Sequence, residues 1–353
     1  MDFMAAYMEA RLKLNHAIGI RQDSSEWAKL ASKMHFHNAN QNFLSGDYKN
    51  FGPTLSLQVM SYAAKVILEW CKHYYGNETP EQQEDNLVRS LLLNEIIESV
   101  HLCFDNLYQV LCGAPSGSPI TVILNEMVNE IYMYCAYHHL AITHKSFFSK
   151  DLSSVDCYHR HVLKCGYGDD IILNVHDDVK HFFNHYNISQ FFLKHNIGYT
   201  DAEKTGSDHV EFKHSIEEIT FLKRSFKPHP IISGQFLAPL NIDYSVKEVL
   251  NWRSDRLPPK IGTEQSIEAC SMNAYGHGPE IHNNIRQKCI NALIKIKSDK
   301  HLRTWKELDR IFFSDFYPKD PVSSGSGAEE SSQNSLLVSQ NFTVLDLDCL
   351  VLE

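Results

Sequence analysis

Two apolar, β-rich runs, Val162-Leu163-Lys164-Cys165 and Ile171-Ile172-Leu173-Asn174-Val175, flank the segment Gly166-Tyr167-Gly168-Asp169-Asp170. Runs of this kind around a glycine-containing turn predict a β-hairpin. The middle of the chain is thereby committed to antiparallel sheet, with two adjacent carboxylates at a hairpin tip. Like charges repel there, and neither can be paired inside a core. A divalent cation reverses that balance. Asp oxygens with few other ligands suit Mg²⁺, which keeps its waters and takes phosphate oxygens. The Gly-Asp-Asp letters alone read equally as a solvated turn. A second acidic pair, in His176-Asp177-Asp178, reads as a helix start, with Asp177 capping a helix that carries Phe182, Phe183 and Tyr186.

Elsewhere the periodicity is mixed. Helical spacing is predicted over about residues 3–14, 24–37, 56–75, 84–100 and 121–144, and again from 245 to 313. Strand patterns fall at 42–48 and 107–111. A second hairpin is expected from 219–226 and 231–238, with Pro228 and Pro230 at its bend. Residues 322–335 have the Ser, Gly, Glu and Asn composition of a disordered tail, and 342–352 alternates apolar and acidic residues like a short strand or partner motif. Without a regular βαβ alternation, the fold class is α+β.

Composition narrows the function classes. The 353 residues, 43% hydrophobic and 22% charged, describe an ordinary globular chain of about two domains. A formal charge of −10 argues against a basic nucleic-acid coat but leaves room for a local basic groove. Nine cysteines with no C-x-x-C pair, and no secretory leader, read as reduced thiols in an intracellular protein. No apolar run nears the roughly 20 residues of a membrane helix. The 20 histidines include no H-E-x-x-H and no Cys/His cluster, and most read as surface residues.

A metal site needs a further carboxylate. Asp47 ends an apolar strand just before Gly52-Pro53, where a side chain can emerge at a sheet edge. With Asp169 on a neighbouring strand it could hold two cations for an in-line phosphoryl displacement. Between them lies Gly113-Ala114-Pro115-Ser116-Gly117-Ser118-Pro119, a loop whose glycines permit close backbone approach, followed by a helix. Thr121 and Asn125, four apart, share one face of that helix and can read a sugar hydroxyl. Seen alone, the loop with a cap is the simpler reading.

The order of these segments resembles the RNA-dependent RNA polymerases of picorna-like positive-strand RNA viruses. Asp47-Tyr48-Lys49-Asn50-Phe51-Gly52 is similar to the family's motif A. Gly113, Pro115, Ser116, Gly117, Thr121, Asn125 and Asn129 match motif B, and Tyr167-Gly168-Asp169-Asp170 matches motif C. Asp201-Ala202-Glu203-Lys204-Thr205 resembles motif D, Phe221-Leu222-Lys223-Arg224 motif E, and the stretch from Trp252-Arg253 the helical thumb. The likeness covers about residues 10–315.

The resemblance implies a right-hand fold: an antiparallel palm sheet with helices, a helical thumb and partial fingers. Its expected boundaries are residual fingers helices at 1–40, palm at 41–240 (55–110 partly fingers), thumb at 241–318 and a flexible tail at 319–353. The implied activity is template-directed nucleotidyl transfer from ribonucleoside triphosphates to an RNA 3′-hydroxyl. Asp47, Asp169 and Asp170 would hold two Mg²⁺ ions, with Mn²⁺ able to substitute. Lys204 would give a proton to pyrophosphate. Asn50, Ser116, Gly117, Thr121 and Asn125 would meet nucleotide and ribose, the 2′-hydroxyl being what separates RNA from DNA. Lys223 and Arg224 would hold primer phosphates. Template and primer RNA, and other viral replication proteins in the host cytoplasm, are the expected partners. Two departures stand out: Gly52 occupies the place where the family often has a second Asp, with Asn50 as its neighbouring substitute, and the basic front of the fingers is missing. The chain alone is therefore expected to elongate RNA poorly until upstream sequence is restored. A reverse transcriptase is disfavoured by the Pro-Ser-Gly loop. The alternative is a truncated or genome-integrated viral remnant that acts only in RNA binding or interaction.

Overall fold

The computed structural model describes residues 2–145, 151–203, 210–251 and 256–318. Lys204, Trp252-Arg253 and the tail expectation for 319–353 lie outside the described residues.

The chain opens with α1 (Phe3–Glu9), capped by the Asp2 carboxylate, which accepts the Ala5 N–H at 2.7 Å. It stops short of the expected residue 14, and the following turns include Asn15 at φ 62. Next come α2 (Ser25–Lys33), β1 (Phe43–Lys49), a single-turn α3 (Phe51–Thr54) and α4 (Leu57–Tyr75). Gly76, at φ 92, ends α4, as the chain needs a residue without Cβ strain there. Thr79 and Gln82 form a capping box, with Pro80 at the first position, for α5 (Pro80–Ile97). A hairpin, β2 (Val100–Cys103) with β3 (Asn106–Gln109), stands where one strand was expected. The long α6 (Thr121–Thr143) follows, then α7 (Val155–His161), which the sequence reading lacked.

The main hairpin forms as expected, β4 (Val162–Tyr167) pairing antiparallel with β5 (Asp170–Val175). Asp177 does not cap the next helix. Residues 177–184 turn instead, and Asn184 caps α8 (His185–Lys194) by accepting the Asn187 N–H. Asp177 is drawn elsewhere, to Lys180, Asn42 and Asn40, and the Lys180 hydrogen bond leads in holding its pKa down at about 2. A short β6 (Gly198–Asp201) completes a four-stranded sheet in the order β4-β5-β1-β6, with every neighbour antiparallel.

The expected second hairpin splits in two. β7 (Thr220–Phe221) and β8 (Arg224–Ser225) pair around Leu222 and Lys223, both at positive φ, while β9 (Lys227–Pro228) pairs with β10 (Phe236–Leu237). The remainder is helical, with α9 (Pro259–Asn273), α10 (Pro279–Lys295) and α11 (Trp305–Phe312). Antiparallel sheet with helices is the expected α+β class.

Two compact units result. The first joins the opening residues to Gly19 with Met34–His214, and the second joins Ile20–Lys33 to the described residues from Ser215 onward. In the first, the sheet packs against α6: Ile171, Leu173 and Val175 meet a core that includes Ile123, Leu124, Val128, Met133 and Tyr137. All of Ile171–Val175 is buried, so both faces of β5 are covered. Its one polar member, Asn174, is satisfied by the Asn42 N–H, the Met34 carbonyl and Gln41. In the second unit, Trp27 stacks on Phe226 with ring centroids 4.4 Å apart.

A buried acid anchors the second unit. Asp309 is fully buried and accepts hydrogen bonds from His229 Nε2 (2.9 Å) and the Tyr275 and Tyr317 hydroxyls. Burial pushes its pKa up, but those three donors outweigh it and hold the carboxyl below its ordinary value. His229 Nδ1 accepts backbone N–H groups from Ile231 and Ile232, which fixes the proton on Nε2. Asp309→Ala would strand three donors at once. We expect it to lower unfolding free energy by about 3 kcal/mol or more in denaturant titration.

Candidate active site

β1 lies between β5 and β6, and its register sets the acidic residues. Gly46 pairs with Ile171, and one further step brings Asp47 level with Asp170. Tyr167 pairs with Asp170, leaving Gly168 and Asp169 as the two-residue turn, with Gly168 at φ 67. Gly at that first turn position supplies the backbone twist a tight hairpin needs. Asp47 and Asp170 are half-buried, and Asp169 is exposed. All three are brought to one end of adjacent strands. They do not close into a cage: among the described residues, the three metal-ligand side chains whose donor atoms all lie within 4.8 Å of one another are elsewhere. The donor set is purely carboxylate oxygen, which fits a hard cation such as Mg²⁺.

One face of α6 holds that end of the sheet. The fully buried Asn129 donates from Nδ2 to the Gly168 carbonyl at 2.8 Å, and its Oδ1 accepts the Tyr48 hydroxyl at 3.2 Å. The turn is thereby tied to the strand carrying Asp47. On the same helix, Glu126, three residues before Asn129, and Glu130, one residue after it, share the buried Lys164 of β4, at 2.6 and 2.9 Å. A Cβ at Gly166 would meet the Glu126 carboxylate at 2.4 Å, so a side chain there would push that carboxylate from its place. On the outer side of β4, Gly166 N–H donates to the Asn15 carbonyl and the Gly166 carbonyl accepts from Ala17 N–H, a parallel bridge. The intervening His16 is buried and stacks on Tyr7 at 4.1 Å.

Two carboxylates and one ammonium leave this buried group short of positive charge. Burial, helped by Glu130, raises Glu126 to about 7 against the pull of Lys164 and the Gly168 N–H. Burial also works against the Lys164 ammonium, but the two carboxylates prevail and raise its pKa.

The 113–120 loop folds back on the segment after β1. Gly113 sits at φ 86, and a Cβ there would meet the Gly52 and Pro53 carbonyls within 3 Å. Its N–H donates to the Leu55 carbonyl, and the Ala114 N–H to that of Gly52. Thr121 Oγ1 donates to the Pro115 carbonyl at 2.9 Å, so Thr121 holds the loop. Ser116 and Gly117 are exposed, the latter at φ 95. A cleft of about 520 Å³ is lined by Gly52, Ser116, Thr121, Asn125, His101 and Tyr108. Asn125 Oδ1 is buried and has no hydrogen-bond partner among the described residues, and a Cβ on Gly168 would lie 3.9 Å from Asn125 Cβ. An unsatisfied buried carbonyl is costly. One that lines a cleft beside the acidic turn is suited to a donor brought by a ligand. Among the described residues, nothing beyond its chain neighbours and its own helix backbone lies within 4 Å of where a Gly52 side chain would begin, so the cleft wall has room at that place.

Asn50 takes a left-handed backbone (φ 55) at the start of α3, a conformation Asn tolerates. In the second unit, Lys223 is exposed in the β7–β8 turn, whereas Arg224 is engaged by Asp23 at 3.1 Å and the Ala238 carbonyl at 2.7 Å. The sequence reading gave no part to Glu126, Lys164 or the amide bridge of Asn129. Their one visible signal was charge within otherwise apolar runs.

The Glu126 shift has a pH signature. A carboxyl whose folded pKa lies above its unfolded value near 4.5 binds its proton more tightly when folded, so its stabilising contribution is lost as pH rises toward about 7. Compared with Glu126→Gln, the wild-type chain should lose relative stability between about pH 5 and pH 8, by at most about 3 kcal/mol. Thermal unfolding of both chains across that range checks it, and parallel curves would contradict it.

Comparison with known proteins bears on the family. A family model for viral RNA-dependent RNA polymerase matches residues 1–293. The genome polyprotein of Deformed wing virus is 36% identical over 312 residues, 88% of this chain and 10% of that polyprotein. The replicase polyprotein of Drosophila C virus (strain EB) is 29% identical over 303 residues, 86% of this chain and 16% of that polyprotein. Among solved structures, a Sicinivirus 3Dpol RNA-dependent RNA polymerase superposes with a TM-score of 0.68 at 20% identity, covering 88% of this chain and 59% of the other. The chain thus spans a small fraction of the polyproteins it matches. It belongs to the viral RNA-dependent RNA polymerase family.

Proposed function

We propose that this chain carries the catalytic palm of an RNA-dependent RNA polymerase, joining ribonucleoside triphosphates to an RNA 3′-hydroxyl on an RNA template. The observation that carries the reading is the register that sets Asp47 level with Asp170 beside the Asp169 turn, next to the unpartnered Asn125 oxygen. Asp47 and Asp169, with Asp170 less directly, would hold two Mg²⁺ ions. When bound, these would lower the pKa of the 3′-hydroxyl and neutralise charge on the departing pyrophosphate. The residues of the chain do the remaining work. Asn125 Oδ1 accepts a hydrogen bond from the ribose 2′-hydroxyl, while Thr121 keeps the loop of Ser116 and Gly117 against the nucleotide. Asn50 flanks the sugar where Gly52 leaves space. Lys204 gives a proton to the leaving pyrophosphate, and Lys223 and Arg224 meet primer phosphates. The polymerase would work in the host cytoplasm with other viral replication proteins. Among the described residues, no helix is long and apolar enough to cross a membrane.

Asp169→Asn should abolish Mg²⁺-dependent nucleotide addition in the full-length polymerase containing this chain, without lowering its melting temperature, because carboxylate repulsion is relieved. Primer extension with the variant at wild-type rate would refute the metal reading. Retained RNA binding without any incorporation by the wild type would favour the binding-only remnant. Asn125→Ala should cut the preference for ribo- over deoxyribonucleotides about tenfold, the worth of one buried hydrogen bond. Competition between the two nucleotide types on one RNA template measures that ratio.

A further inference from the structure

The far end of the β4–β5 hairpin carries a second cluster. Val162 pairs with Val175, and the His176 N–H donates to the His161 carbonyl at 2.8 Å, so the two histidines are cross-strand neighbours at the base of the hairpin. Asp178 joins them, and one donor atom from each of the three lies within 4.8 Å of the others.

The hydrogen bonds around the rings fix their tautomers. His161 Nδ1 lies 2.7 Å from the Cys157 carbonyl, which can only accept, so Nδ1 carries the proton and Nε2 presents a lone pair. His176 Nδ1 faces the Asp178 N–H at 3.3 Å and is likewise a lone pair. Both nitrogens lie near the same carboxylate oxygen: Asp178 Oδ2 is 3.8 Å from His161 Nε2 and 3.4 Å from His176 Nδ1. Two imidazole nitrogens and a carboxylate oxygen so close together can be bridged by one cation. Bonds of 2.0–2.1 Å in a tetrahedron put donors about 3.4 Å apart, against 3.4 and 3.8 Å for the two histidine–Asp178 separations here. The His161 ring is braced by Cys157, as metal-bound imidazoles usually are, and His176 packs edge-on against Phe36 at 5.2 Å.

We propose that His161, His176 and Asp178 bind Zn²⁺, with a water in the fourth position. Two imidazoles and one carboxylate suit zinc rather than Mg²⁺, so the site is chemically distinct from the aspartates at the other end of the same hairpin. The ion closes the hairpin base, joining the end of α7 to the end of β5. The Asp178 N–H contact to His176 is exchanged for the metal bond.

The test uses the whole 353-residue chain, stripped with chelator and then titrated with Zn²⁺ by calorimetry in excess Mg²⁺. Co²⁺ serves as the spectroscopic probe. The expected result is one ion per chain, a tetrahedral Co²⁺ spectrum without a thiolate charge-transfer band, and affinity reduced at least about tenfold in H161Q and in H176Q. D178N, at a side chain 66% exposed, should weaken binding similarly and covers the case in which a histidine variant misfolds. A thiolate band would place the ion on cysteines. Unchanged affinity in the variants, or no Zn²⁺ bound to the folded wild type, would overturn the proposal.

Discussion

A single buried amide joins the two acidic strands. Asn129 takes the Tyr48 hydroxyl on one side and gives a hydrogen bond to the Gly168 carbonyl on the other. The β1–β5 ladder ends at Gly46 and Ile171, so beyond it the Asp169 turn is tied to the Asp47 strand by this side chain, while β6 holds Asp47 from the other side. The amide itself is immobile because α6 is packed along its length, Val128 and Met133 being wholly buried. Core packing thus reaches the polar site through one side chain, and the position of the carboxylates inherits the rigidity of the helix.

Beneath that tie lies an unequal charge balance. The aspartates at the tip are matched a few residues below by two glutamates sharing one lysine. Removing Lys164 would leave two carboxylates without their counter-charge, whereas removing one glutamate leaves the lysine still paired with the other. Glycine at position 166 is part of the same arrangement, since any side chain there would displace the Glu126 carboxylate.

Much of this was legible in the sequence because it obeys simple periods. The hairpin around Gly168, the strand ending near Asp47 and the helix beginning at Thr121 each carry a long, consistent pattern. What the pattern hid has physical reasons. Asp177 has the chemistry of a helix cap, but distant Asn40 and Asn42 and nearby Lys180 compete for it, and tertiary contacts prevailed over local propensity. The 219–238 region breaks in two because Leu222 and Lys223 adopt positive φ, which neither residue type announces. β6 is only four residues long and offers too few alternations to be seen. The candidate aspartates were legible as a constellation. Glu126 and Lys164 were not, because a charge in an apolar run normally marks a solvated face. His161 and His176 stand fifteen positions apart and become neighbours only through the hairpin register.

β4 is the outermost strand of its sheet, and an outermost strand offers unpaired amides to any other chain that can lie alongside. The residues around His16 occupy that margin at Gly166 through two backbone hydrogen bonds. Their stacked Tyr7–His16 pair fills the space that a foreign strand would need. The opening segment therefore acts as a selvage on the sheet. A strand added along β4 would have to displace these two hydrogen bonds before it could reach the residues that lead into the acidic turn.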